Sequence, residues 1–376
     1  MKTLNRPLGA ATCSFLWVVA SIALGRFVSP PAGAKPKDTV IATVSLNGSE
    51  FPESIVMNPK KPEAYVSSRD GHIYGIDTAT NAISFSYQSV NDLGSMGISP
   101  DGQTLYVVEL VGIPIVQENL VQFSIAKQQE IGSLPVGFST IPAVSPDGSL
   151  VYLPDFSTGV RVFTTNPFSQ TAVVGSYDNP NQAVFTPDGT HAYITILGIQ
   201  PEAGFINYVD VASGSWTNIT GARFNRPFGM AISPNGGTVF VTQSDSFDST
   251  GAEQKGVVSV DTASNKIRSS ISVAAPGADA PNYASLTGIP GITPDGKYLY
   301  VPIPYITYTD PTTGITSTYD AKTVAVINTQ TRKVIDQMTI EWDAQQVAIE
   351  RAGKRAYVLY EVNGIATVAV IDITGS

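Results

Sequence analysis

From about residue 40 to its end, the chain consists of short runs of alternating apolar and polar residues separated by clusters of Pro, Asp, Asn, Gly and Ser. A two-residue period places every second side chain on one face of a strand, and the turn-forming clusters interrupt it too often for helices. The pattern also repeats. An apolar approach, a Pro-Asp-Gly turn and a Tyr-Val-like pair recur seven times. Met57-Asn58-Pro59 precedes Ala64-Tyr65-Val66, Ser99-Pro100-Asp101-Gly102 precedes Leu105-Tyr106-Val107, and Ser145-Pro146-Asp147-Gly148 precedes Val151-Tyr152-Leu153. Thr186-Pro187-Asp188-Gly189 precedes Ala192-Tyr193-Ile194, Ser233-Pro234-Asn235-Gly236 precedes Val239-Phe240-Val241, and Thr293-Pro294-Asp295-Gly296 precedes Leu299-Tyr300-Val301. The last copy has decayed to Glu350-Arg351-Ala352-Gly353 before Ala356-Tyr357-Val358.

Measured at the proline position, with Arg351 in the last copy, the spacings are 41, 46, 41, 47, 60 and 57 residues. A period near 40 is that of a four-stranded propeller blade. Proline presets the second turn position and Asp-Gly tolerates positive φ, so each copy is a hairpin turn. A second element follows each copy, as at Ile73 to Asp77 and Val257 to Asp261, where an alternating strand ends in an Asp or Asn turn. These repeated aspartates are turn formers rather than catalysts.

On these residues the chain resembles the YVTN β-propeller repeats of secreted and surface-layer proteins, and more distantly the lactonase-like propellers. The resemblance implies an all-β fold: a seven-bladed β-propeller of four-stranded antiparallel blades. The seventh blade lacks an outer strand, because only Ile373 to Ser376 follow its last run. Residues 39–46, in which Val40, Ala42, Val44 and Leu46 alternate with Ile41 and Thr43, supply one and close the ring. Closure removes an exposed sheet edge.

The segment before that strand reads as an export signal. Lys2 and Arg6 precede an apolar stretch at 8–24, and Ala32-Gly33-Ala34 gives a small-x-small cleavage site. The domain reading is therefore a signal peptide at 1–34 and a propeller at 35–376, without a membrane span in the mature chain, located in the periplasm, at the cell surface or outside the cell. Cys13, the one cysteine, lies in the removed segment, which excludes disulfides, thiol nucleophiles and thiolate metal sites. Cleavage takes away three bases and no acid and moves the net charge from -9 to -12, which disfavours nucleic acid. A closed propeller shares no free edge, so a monomer is expected.

In a propeller blade the inner strand runs from the top face to the bottom, so the Pro-Asp-Gly turns lie below and the variable loops above. The longest predicted top loops are 302–322, 243–256, 109–119 and 197–204. Tyr305, Tyr308 and Tyr319 in the first of these suit sugar stacking or a protein partner. Counting along the inner strands from the turns places Glu53, Asp92, Asp178, Asn179, Asn181, Asn225, Arg226, Trp342, Asp343 and Gln345 near the pore mouth. Glu53, Asp92, Asp178 and Asp343 are oxygen ligands of the type Ca²⁺ prefers; no other cofactor is expected. Two histidines, His72 and His191, are too few for a multi-histidine metal site.

These observations favour a secreted module binding a protein, glycan or small ligand on its top face. The alternative, implied by the likeness to lactonase-like propellers, is a hydrolase using Asp343 and Arg226, the latter steadying an oxyanion. No nucleophile–base pair in the sequence marks an enzyme.

Overall fold

The computed structural model describes residues 38–46, 49–112, 117–175, 179–198, 204–224, 226–243, 246–247, 253–254, 256–273, 283–310, 312–340 and 343–374. Everything regular in them is strand, arranged as seven four-stranded antiparallel blades in a ring. No helix long and apolar enough to cross a membrane occurs among them. The expected signal peptide, 1–34, lies outside the described residues.

The Tyr-Val pair explains why the blades stack. It sits on the second strand of each blade, where adjacent side chains point to opposite faces and both faces are covered. In blade 1 Tyr65 packs toward blade 2 with Leu105 and Val107, while Val66 packs toward blade 7 with Tyr357 and Val368. Tyr152 likewise joins Phe185 and Ile194 of blade 4, and Leu153 joins Tyr106 and Val108 of blade 2. The same division holds for Tyr193 with Ile194, Phe240 with Val241, Tyr300 with Val301, and Tyr357 with Val358. Each interface between neighbouring blades thus has its own apolar cluster.

Below, every Pro-Asp-Gly turn has the same construction. The Gly102 amide donates to the Ser99 carbonyl at 2.9 Å, Thr104 N–H donates to the Ser99 hydroxyl at 3.0 Å, and the Ser99 hydroxyl donates to Asp101 at 2.5 Å. The turn glycines, among them Gly102, Gly148 and Gly296, have φ between 70° and 76°, the left-handed region that favours glycine.

The strand Thr39–Ser45 pairs antiparallel with Ile365–Asp372, Val44 opposite Val368, and completes blade 7 as the sequence predicts. Its alternation is only partly used: Val44 and Leu46 are buried, whereas a bulge between Val40 and Ala42 leaves Val40 and Ile41 about half exposed. The residue before this strand is tied further by Tyr300, whose hydroxyl donates to the buried Asp38 carboxylate at 2.7 Å.

The top face corrects one expectation. Residues 302–322 are mostly not a loop; the strands Tyr298–Thr309 and Thr316–Asn328 run on past the blade as a long hairpin, onto which Tyr283–Leu286 pairs. It is rich in Thr, Ile and Tyr, residues that favour strands. Its tip is an Asx turn in which Thr312 N–H donates to Asp310 Oδ1 at 2.7 Å and Gly314, at φ 69°, returns its amide to the Asp310 carbonyl.

Candidate functional site

At the end of the ring opposite the Pro-Asp-Gly turns, all seven blades contribute to one cavity of about 610 Å³. Its walls come from the approach to each inner strand and from the exit of each second strand. Blade 1 gives Phe51, Pro52, Glu53 and Arg69; blade 2 gives Ser95; blade 3 gives Ser139, Thr140 and Ile141. Asn181 and Leu197 come from blade 4, Arg226, Phe228 and Gln243 from blade 5. Thr287, Gly288, Ile289, Pro304 and Tyr305 belong to blade 6, and Gln345, Gln346 and Glu361 to blade 7.

Amides and hydroxyls fasten the inner strands to one another around this cavity. The Gln346 side chain both accepts from Ile55 N–H and donates to the Ile55 carbonyl, each at 3.0 Å, and so joins blade 7 to blade 1. Asn181 Nδ2 donates to the Phe228 carbonyl at 2.8 Å, and Thr242 Oγ1 donates to the Gly288 carbonyl at 2.9 Å. Glycine permits the close approach: a β-carbon on Gly229 would stand 2.8 Å from the Gly288 carbonyl oxygen.

Four of the described lining residues carry charge. Glu53 and Arg69 neutralise each other at 2.6 Å, and burial holds the Glu53 carboxyl above its ordinary value even though Arg69 pulls it down. Arg226 is exposed, and neither it nor Glu361 forms an ion pair or side-chain hydrogen bond with a described residue. Arg226 also has unusual backbone. Phe51, Asn179 and Arg226 have φ of 53°, 58° and 53°, and each directly precedes a proline: Pro52, Pro180 or Pro227. Left-handed backbone is uncommon for any residue but glycine, and a following proline disfavours helical backbone further. Three blades therefore hold the same strained step at the cavity mouth, and two of them, at Phe51 and Arg226, bring its side chain into the lining.

Of the residues expected at the pore mouth, the structure brings Glu53, Asn181, Arg226, Gln345 and Tyr305 together in the cavity. Asp178, Asn225 and Trp342 lie outside the described residues. Asp92 opens its strand opposite Leu110, and the bulge between Leu93 and Met96 leaves Ser95 as that blade's contribution to the lining. Asn179 does not line the cavity, and its amide reaches the Gly198 carbonyl at 3.5 Å. Tyr308 and Tyr319 stand on the long hairpin, opposite Ser317 and Ile306 and outside the lining. Among the described residues no three His, Asp or Glu side chains converge as metal ligands. His72 lies 3.1 Å from Asp70 and stacks on Tyr74.

Asp343 is not among the lining residues but interacts with Tyr305, which is. Burial raises its pKa, and the charge of Asp320 adds to the rise against the hydrogen bond from Tyr305 and the charge of Lys322. One of its oxygens, Oδ1, is buried without a hydrogen-bond partner. Tyr305 in turn is pushed up to about 12, first by burial and then by Asp343.

Phe51, Arg69, Phe228, Gln346 and Glu361 also line the cavity, and nothing in the repeat pattern marks them. The X-Pro step at Phe51-Pro52, repeated at Arg226-Pro227, was the available signal for Phe51 and for Phe228 two residues beyond Arg226.

Comparison with known proteins returns the fold and nothing narrower. No family model matches the chain, and no curated protein does. Among solved structures 1699 chains resemble it, too many for the likeness to single out an activity. One is a chain of hydrazine synthase from Kuenenia stuttgartiensis, at 17% identity and a TM-score of 0.68, covering 87% of this chain and 97% of the other. At that identity the likeness concerns the propeller alone.

Proposed function

We propose that this chain is an exported binding propeller that holds a small organic ligand, or a side chain of a larger one, in its top-face cavity. The observation that carries the reading is convergence: seven blades line one concavity whose size falls within the range of about 300–1,000 Å³ usual for small-ligand sites. The lining suits binding more than chemistry. Its amides and hydroxyls are mostly engaged in holding the strands, its aromatic groups Phe51 and Phe228 remain partly exposed, and one of its two cations is already paired. Export is supported by the basic, apolar and Ala32-Gly33-Ala34 pattern of the first residues.

The test is a screen of metabolites, glycans and envelope proteins by thermal shift and calorimetry on the exported chain, with Ser95→Trp as the blocking variant. A ligand at 100 times its Kd raises stability by about 2.7 kcal/mol, which a melting curve resolves. Binding lost in Ser95→Trp, with its melting temperature unchanged, supports the cavity. A ligand held equally well by that variant overturns it.

A hydrolytic reading draws on one observation, the protonation-prone Asp343 beside Tyr305, which has the character of a general acid. It requires a lactone-opening activity that disappears in Asp343→Ala and in Arg226→Ala; an activity that survives both removes it.

A further inference from the structure

Resting on the cavity reading, we infer that the ligand is an organic monoanion: a carboxylate on an apolar or aromatic body, with Arg226 as the residue that recognises the charge. Glu53 and Arg69 satisfy each other at 2.6 Å and offer no net charge to a ligand. Arg226 makes no ion pair or side-chain hydrogen bond with any described residue, in a chain whose acids outnumber its bases 31 to 22. A guanidinium without a partner among the described residues, at the wall of a concave site, is a fork of donors matched to a planar carboxylate.

The backbone points the same way. Arg226 is held at φ 53° immediately before Pro227, which is buried. Unlike the left-handed residues Lys322 and Arg332, Arg226 holds this conformation directly before a proline, and strained residues of this kind concentrate at ligand clamps. Phe51 reaches the same cavity through the same strained step before Pro52 and remains 55% exposed. With Phe228, Ile141, Leu197 and Ile289 it gives the body of the ligand an apolar surface to cover. Glu361, the other lining charge without a partner among the described residues, limits the ligand's negative charge. A dianion such as a phosphate monoester would meet one cation and one carboxylate, whereas a single carboxylate directed to Arg226 meets the cation alone.

The test uses a matched pair, 3-phenylpropionate and 3-phenylpropanamide, which share a body and differ in charge, titrated into the full exported chain by calorimetry. The acid is expected to bind about tenfold more tightly than the amide, equivalent to 1.4 kcal/mol. Arg226→Gln is expected to bring the ratio to about one by weakening the acid alone, and Arg226→Lys to keep part of it. Glu361→Gln should tighten the acid and leave the amide unchanged. Equal binding of acid and amide by the wild-type chain, both abolished by Ser95→Trp, overturns the inference and leaves the cavity reading standing. No binding of either compound up to about 10 mM, weaker than the millimolar limit of useful recognition, overturns the inference; only an empty result in the wider screen as well overturns the cavity reading.

Discussion

Gly148 packs against the ring of Pro100, the proline of the preceding blade's turn: a β-carbon at 148 would stand 3.2 Å from Pro100 Cγ. Gly189 meets Pro146, Gly236 meets Pro187, Gly296 meets Pro234, and Gly353 meets Pro294 in the same way. The bottom of the ring is thus a chain of contacts in which each proline of a Pro-Asp-Gly turn serves two blades, its own through φ and the next through its ring.

Two alanine substitutions separate these roles. Gly148 and Gly314 have φ of 76° and 69°, yet nothing lies within 4 Å of a β-carbon at 314. Gly314→Ala should cost only the backbone strain, about 1–2 kcal/mol. Gly148→Ala should cost more, because Pro100 must also give way. Urea denaturation measures both, and equal losses would show that the contact between turns contributes nothing.

Leu46 and Val44 anchor the closing strand, packed with Ile55, Val66 and Val368. Leu46→Ala should lower stability by about 2–5 kcal/mol, the range for a large-to-small change in a packed core. Deletion of residues 40–46 should lower the melting temperature of the entire ring in one transition. An unchanged melting temperature for the deletion would mean that closure by this strand is dispensable.

Acid should act on stability in two stages. Burial raises the carboxyls of Glu118 and Glu53, and burial with the charge of Asp320 raises that of Asp343. A group raised on folding costs stability above its folded pKa, and protonation relieves that cost as pH falls toward the unfolded value of about 4. The turn aspartates behave oppositely. Asp188 is held down to about 2 by hydrogen bonds from the Thr186 hydroxyl and from Thr190, and Asp147 is lowered by Ser145 and Ser149. Their contribution is complete above the unfolded value of about 3.9 and disappears as pH falls through the folded one. The melting temperature should therefore rise on mild acidification and fall below about pH 4. Asp188→Asn should flatten the low-pH fall; a monotonic decline from neutrality would contradict the first stage.

The Asp343 carboxyl should respond in opposite directions to its two neighbours. Tyr305→Phe removes a hydrogen bond that lowers its pKa and should raise it; Asp320→Asn removes a negative charge and should lower it. Carboxyl carbon shifts followed by NMR across pH test both signs. No movement in either variant would mean that burial alone sets the value.

The fold was legible because its most informative residues face two neighbours at once. Tyr106 and Val107 are buried against different blades, so neither position tolerates polar drift and the pair stays visible in all seven copies. The closing strand was legible by subtraction, since Ile365–Asp372 had no following partner. The cavity was only partly so. Counting from the turns assumes an unbroken register, but bulges between Pro52 and Ser54, Leu93 and Met96, and Pro180 and Gln182 each insert one extra residue into the inner strand. Ser95 therefore lines the cavity where Asp92 was expected. The long hairpin was hidden for another reason: where Thr316–Asn328 leaves the blade it has no buried face, so no apolar alternation marks Ser317 to Ala321 as strand.

The pairing of Thr39–Ser45 with Ile365–Asp372 also sets the timetable of assembly. The first of the described strands waits for the last, a contact order that makes ring closure slow. Until it closes, Ile365–Asp372 offers an open edge to any extended segment, and the best-matched one in solution is residues 39–45 of a second copy. Concentrated refolding should then yield strand-exchanged dimers and dilute refolding monomers, a dependence that size-exclusion chromatography reads directly.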